Sequence, residues 1–279
     1  MKFDVPYPHG RLSLGVKTHI MGILNMTPDS FYDGNRNNVL DSAIRYVHEM
    51  VEEGADIIDI GGESTRPGSH PVSEEEELKR IIPLVRILSK QICKPISIDT
   101  YKASVAEKAI YAGASMINDI GGLRMDKNMA KVVAEADVPV VIMHKKGVPG
   151  TMQENPVRGN LMRRIVSYLK KSIAIATDAG INENKIIVDP GIGFGKTTQQ
   201  NLEILKRLKE LKRMGFPILI GTSRKNFIGT LLDISVDERL YGTLATMAVA
   251  AMHGAHILRV HDVRETVQVV TMCDAIRNC

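Results

Sequence analysis

"NKIIVDPGIGFGKTTQQNLEILKRLKELKRMGFPILIG", residues 184–221, holds one complete structural unit. Its β-branched run, 185–189, ends on a carboxylate, Asp189, followed by Pro190 and the glycines Gly191, Gly193 and Gly195. Apolar residues then recur at helical spacing from 198 to 214, Gly215 stands where that helix should stop, and a second apolar run covers 217–221. A strand, a polar break, a helix and another strand make a parallel crossover, because parallel neighbours need a connection of about a dozen residues or more. Neither run alternates strictly between apolar and polar, which is the pattern of strands buried on both faces.

The same unit recurs from end to end. Apolar runs stand at 19–25, 55–61, 95–99, 115–119, 138–144, 185–189, 217–221 and 256–260. Helical spacing fills 39–53, 73–90, 102–112, 126–136, 159–179, 198–214, 237–253 and 262–277. Ser73 followed by Glu76 reads as a capping box, while Gly54, Gly113 and Gly180 mark further helix ends. Eight units in about 260 residues predict a (β/α)8 TIM barrel; a doubly wound open sheet is the structural alternative. No linker or shift of composition divides the chain, so 1–279 reads as a single domain, with 1–17 a short N-terminal extension before the first barrel strand.

Composition narrows the function. With 44% hydrophobic and 24% charged residues in 279, the chain has material for one large core and no low-complexity segment that would resist packing. A net charge of +4, evenly spread, is too mild for a nucleic-acid footprint and suits small anionic substrates. Cys93, Cys273 and Cys279 are scattered and lack metal-ligand spacing, which fits a reducing compartment, so the cytoplasm is the expected location. The N-terminus lacks the apolar core of a signal peptide, and no apolar stretch approaches the ~20 residues that span a bilayer.

A barrel places its chemistry at the C-terminal ends of its strands. Those ends carry Asn25, Asp59, Asp99, Asn118 with Asp119, His144, Asp189, Ser223 to Lys225, and Arg259 with His261; the starts of the runs read as bland. Such a set could be a metal cage, a Schiff-base site on Lys225, or a receptor for a polar heterocycle. A cage asks for more convergent ligands than His144 and His261 offer. A planar ring rich in N–H donors asks for Asp and Asn acceptors in its plane and a cation near its carbonyl. Asp189 then suits adjacent N–H groups such as those on an aminopyrimidinone edge. Blander roles stand beside these: a strand-end Asp is often the N-cap of the next helix, Lys225 could be a surface lysine, His261 a structural histidine, and Asp119 a support for the barrel.

Two loops add anion chemistry. "DIGGESTRPG", 59–68, combines hydroxyls and a guanidinium on a glycine-rich backbone suited to phosphates. "MTPDSFYDG", 26–34, offers Asp29, Ser30 and Asp33 to a metal ion that also touches a diphosphate. Neither has the glycine spacing of a P-loop. Taken in order, "MGILNMTPDSFYDG", "DIGGESTRPG", "DPGIGFGK", "GTSRKNFIG" and "RVHDV" resemble the dihydropteroate synthase family, from about residue 20 to residue 262. "SIDT", "IND" and "MHKKGVPGTMQ" are similar to the same family.

That resemblance implies a transferase of folate biosynthesis joining 6-hydroxymethyl-7,8-dihydropterin diphosphate to p-aminobenzoate, and a target of sulfonamides. It implies a pterin pocket of Asp99, Asn118, Met143, Asp189 and Lys225; a diphosphate site of Asn25, Thr65, Arg259 and His261; and Mg²⁺ on Asn25. For p-aminobenzoate it implies Phe31, Thr65, Arg66, Pro67, Phe194, Ser223 and Lys225, and for the chemical step Asp33, Lys225, Arg259 and His261. It also implies a homodimer through the last helices, for which the Ala- and Met-rich stretch 240–255 offers a surface. Tyr32 and Asn35 depart from the small residue and the glycine expected there, which touches first-loop closure. A methyltetrahydrofolate:corrinoid methyltransferase or a catalytically silent pterin binder would share the ring pocket; the first two loops and the intact Asn25, Arg259 and His261 argue against both.

Overall fold

The computed structural model describes residues 1–27, 36–64, 71–147 and 157–279, without the side chains of 36–38. Two short strands come first, β1 (Phe3–Tyr7) and β2 (Gly10–Leu14). Then follow β3 (His19–Asn25), α1 (Arg36–Glu52), β4 (Ile57–Gly61), α2 (Glu74–Gln91), β5 (Ile96–Asp99), α3 (Ala103–Tyr111), β6 (Met116–Asp119) and α4 (Met129–Ala136). The second half runs through β7 (Val140–Met143), α5 (Leu161–Asp178), β8 (Ile186–Asp189), α6 (Thr198–Lys206), β9 (Leu219–Ile220), α7 (Asn226–Leu232), α8 (Leu240–Met252), β10 (Ile257–Val260) and α9 (Val263–Asn278).

Strands β3 to β10 form one parallel sheet in the order β8-β7-β6-β5-β4-β3-β10-β9. A parallel bridge between Val188 and Ile218 joins its ends, with Val188 N–H donating to the Pro217 carbonyl at 2.9 Å. The sheet therefore closes into the expected barrel, and the open-sheet alternative falls. β9 is shorter than the run 217–221 because Pro217 has no N–H to give to the ladder.

Strand alternation sorts the side chains into an outer and an inner set. Outward residues such as Ile58, Ile98, Ile117, Ile142, Val188 and Leu258 pack under the helices. Inward ones make a lower layer of Met21, Ile57, Met116, Val141, Ile187, Leu219 and Ile257. Against that layer sit Val5, Leu12 and Leu14 of the β1–β2 hairpin, so residues 1–17 are more than an extension: they plug the bottom of the barrel. Two residues further along each strand lies the next inward layer, Ile23, Asp59, Asp99, Asn118, Met143, Asp189, Gly221 and Arg259, which faces the open end.

The helix caps and boundaries depart from expectation at several points. Ser73 caps α2 by accepting from Glu76 N–H, but the Glu76 carboxylate turns to Arg80 at 3.0 Å, so the box is half made. The full reciprocal box is Thr197 with Gln200 at the start of α6, a pair not read from the sequence. α6 ends at Lys206 and continues as 3-10 helix over Leu208–Met214, while α7 is a helix unforeseen within the "SRKNFIG" loop. Gly54, Gly113, Gly180 and Gly215 do sit at helix ends with positive φ. The strand starts are less bland than they read: Ser115 Oγ accepts from Ile96 N–H at 3.1 Å and His256 Nδ1 from Ile218 N–H at 3.0 Å, buried polar groups that join the frame together.

Candidate active site

A cavity of about 600 Å³ opens at the C-terminal ends of the strands. Its floor is a charged lattice. Arg259 donates through Nε to Asp59 Oδ2 at 2.6 Å and through Nη2 to Asp99 Oδ2 at 2.7 Å, while Asn118 Nδ2 donates to the same Asp59 oxygen at 3.0 Å. Asp59 and Asp99 are both buried, and each keeps one oxygen, Oδ1, without a hydrogen-bond partner. Burial pushes the Asp99 carboxyl up to about 7, against the pull of Arg259. A buried, unpaired carboxylate oxygen is costly unless a donor completes it, and of the two carboxylates Asp99 lines the cavity, where a ligand N–H can reach it.

The wall beside it comes from the glycine loop after β8. Asp189 accepts Gly191 N–H at 2.6 Å through Oδ1, an Asx turn, and burial raises its pKa. The loop presses on the neighbouring strand end: Gly191 has φ +69°, and a Cβ there would collide with the His144 carbonyl oxygen. Lys225, at the start of α7, crosses to this loop, donating to the Ile192 carbonyl and lying 4.4 Å from the centroid of the Phe194 ring. Burial lowers Lys225 to about 8, and Asp189 opposes that shift. Met143 lines the cavity beside these groups.

At the rim, Asn25, Ser223 and His261 join Arg259 and Lys225 in the cavity lining. His261 Nδ1 lies 2.9 Å from Ser223 Oγ, and His261 N–H donates to the same oxygen at 3.2 Å, which holds the imidazole in place. Phe31, Tyr32, Asp33 and Asn35 of the first loop and Thr65, Arg66 and Pro67 of the second lie outside the described residues. Among the described residues no three His, Cys, Asp or Glu converge as a metal cage. Asn25 offers one hard oxygen at the cavity, the donor type that Mg²⁺ takes beside waters and substrate phosphates.

The blander roles can now be weighed. Neither Asp99 nor Asp189 caps a helix: α3 has Lys102 at its cap position and α6 has Thr197. Asp119 does serve the frame, spending its oxygens on Gly121 and Leu123 N–H at 2.6 Å each. The sequence showed Asp59 at a strand end but attached no role to it; period-two counting back from Gly61 would have turned it inward beside Asp99. Lys196 too carries no role legible in the sequence. It is 2% exposed and bonded to the loop, and its only signal was a lysine directly after a glycine-rich turn. Lys102 was missed as well, its Nζ lying 2.6 Å from both Glu63 and Glu77 at the foot of the second loop.

The chain resembles known proteins in sequence and in fold. The pterin binding enzyme family matches residues 21–261. The chain is 51% identical over 265 residues to a dihydropteroate synthase of Clostridium beijerinckii, covering 95% of this chain and 96% of the relative. It is similar to the crystal structure of the Yersinia pestis dihydropteroate synthase with a sulfonamide drug complex, at TM-score 0.93 and 41% identity over 99% of this chain and 100% of that one. It matches the Xanthomonas albilineans dihydropteroate synthase with 4-aminobenzoic acid at TM-score 0.93 and 39% identity over 100% of both chains. With likeness of this extent in both sequence and barrel, the chain belongs to the pterin binding enzyme family, on its dihydropteroate synthase branch.

Proposed function

We propose that this protein is a dihydropteroate synthase, condensing 6-hydroxymethyl-7,8-dihydropterin diphosphate with p-aminobenzoate to 7,8-dihydropteroate and pyrophosphate. The observation that carries this is the cavity lined by Asp99, Asn118, Asp189 and Lys225, in which Asp99 is buried with one oxygen unsatisfied. Asp189 accepts from the ring N3–H and the 2-amino group, Asp99 and Asn118 complete the polar edge, Lys225 faces the ring carbonyl, and Met143 packs on the ring face.

The diphosphate lies toward Arg259, His261 and Asn25. Asn25 would hold Mg²⁺, which supplies charge neutralisation at the diphosphate. The bond between the methylene carbon and the diphosphate oxygen breaks with its electron pair leaving on pyrophosphate. The resulting cation is shared with the ring nitrogens, the amine lone pair of p-aminobenzoate closes on the carbon, and the nitrogen then loses a proton. Arg259 and His261 act by placing positive charge and donors where the leaving group gathers charge, so electrostatics and positioning supply most of the catalysis. Phe194, Ser223 and Lys225 line the p-aminobenzoate side; family likeness assigns Phe31, Thr65, Arg66 and Pro67 to the same ligand and Asp33 to the chemical step.

The protein acts in the cytoplasm as a homodimer through α8 and α9, whose Tyr241, Val249, Met272 and Ile276 are exposed apolar residues. No helix among the described residues is long and apolar enough to cross a membrane. The test is pyrophosphate release from the pterin diphosphate with Mg²⁺, with and without p-aminobenzoate, while dihydropteroate is followed. Product in step with pyrophosphate is expected; pterin binding without product would leave only a pterin binder.

A further inference from the structure

Within the glycine loop, at the edge of the cavity, lies a buried lysine that the reaction just described does not use; burial lowers its pKa to about 7, and Asp189 opposes that shift. Lys196 is 2% exposed, among the most deeply buried long side chains of the protein. Its Nζ lies 2.7 Å from the Gly191 carbonyl, 3.0 Å from the Phe194 carbonyl and 2.9 Å from His144 Nδ1, one acceptor for each hydrogen of an ammonium. The His144 carbonyl lies further off at 3.4 Å. His144 is itself buried and stacked edge-on against Tyr168 at 4.9 Å, and burial with the nearby Lys196 charge keeps its imidazole neutral and able to accept. Two of the three acceptors belong to the turn 191–194, and the third belongs to the end of the adjacent barrel strand.

That turn supplies three contacts of the pocket: Gly191 N–H to Asp189, the Ile192 carbonyl to Lys225, and the Phe194 ring under Lys225. A turn of alternating glycines does not hold one conformation unaided, since Gly191, Gly193 and Gly195 carry no side chains to pack. A buried charge is an expensive way to stabilise a fold, and an apolar side chain of similar volume often does as well. What an ammonium adds is direction, three donors aimed at three fixed oxygen or nitrogen atoms.

We propose that Lys196 is a positioning residue that pins the glycine turn to the His144 end of β7 and thereby sets the geometry of Asp189 and Lys225 toward the pterin ring. This rests on the pterin-site assignment above. It predicts a selective defect, because pyrophosphate is assigned to Arg259 and His261, neither of which touches Lys196.

The test is calorimetric binding of 6-hydroxymethyl-7,8-dihydropterin and, separately, of pyrophosphate with Mg²⁺ to the full-length protein and to K196M and K196Q. K196M should bind the pterin at least tenfold more weakly and pyrophosphate within twofold of the unaltered protein. K196Q, whose amide keeps two donors, should recover part of the loss. Unchanged pterin affinity in K196M, parallel loss of both ligands, or identical behaviour of the two variants would each overturn the inference. An unaltered protein that fails to bind pterin would instead overturn the pterin-site assignment, and the inference with it.

Discussion

Asp189 is where a single atom changes most. An Asp189→Asn change replaces an acceptor by an amide whose NH₂ opposes a ring donor, so pterin affinity should fall roughly 100-fold or more; calorimetry showing an unchanged Kd would remove Asp189 from the ring edge. Arg259→Ala should act twice. It should weaken the diphosphate substrate far more than the bare hydroxymethyl pterin. It should also leave Asp59 and Asp99 buried without their shared cation, a loss of about 3–5 kcal/mol readable by urea denaturation. Lys225 sets a pH dependence. Burial lowers it to about 8, so its ammonium is present below that pH and lost above it, and pterin affinity should fall between pH 7 and 9. K225M should abolish the limb near 8, and a limb that survives unchanged belongs to another group. The stability effect has the opposite sign: this lysine holds its proton to about 10.4 when unfolded, so its contribution to stability rises with pH from about 8 to 10. Asp99, Asn118, Asp189 and Lys225 were all visible as residue types at strand ends. That Arg259 would sit between Asp59 and Asp99 was not, since which inward side chains meet across a barrel depends on strand stagger and not on order along the chain.

The β1–β2 hairpin and the start of α6 are the elements whose value the structure revealed. Leu14 is wholly buried against the lower barrel layer, so Leu14→Ala should cost about 2–5 kcal/mol in a denaturation experiment. Pterin affinity should stay unchanged, because the plug and the cavity lie on opposite sides of that layer; a loss of binding equal to that of the pocket variants would contradict the separation. Thr197→Ala removes half of the reciprocal cap of α6 and should cost about 1 kcal/mol by the same measurement. The helices that were legible had either a glycine with positive φ at their ends or a long apolar period, as 39–53 and 159–179 had. The hairpin escaped because its alternation covers only five residues per strand and its apolar face makes sense only once a barrel bottom exists to receive it. α7 escaped because seven residues give barely two turns of periodicity.

Closure of the barrel makes the site possible, since only then do side chains from β4, β5, β6, β8 and β10 face one another around a single axis. The proposed dimer would extend that architecture outward. Exposed Met272 and Ile276 of α9 and Tyr241 of α8 form the surface assigned to self-association. Ile276→Glu should therefore shift the mass found by light scattering at micromolar concentration from two chains to one, with little change in the thermal transition of the chain itself. A mass of one chain for the unaltered protein would remove the dimer.

The order and number of the eight barrel strands, the face at which chemistry gathers, and the family of the loops were all determined by local sequence, because period, glycine stops and strand-end polarity are properties of neighbouring residues. Tertiary structure alone decided that residues 3–14 close the floor, that Asp59 belongs to the charged lattice with Arg259 and Asp99, and that Lys196 is buried with three acceptors. Those contacts include pairs 52 and 200 positions apart and others across a folded turn, and their existence depends on strand stagger and on packing volumes that no window of sequence contains.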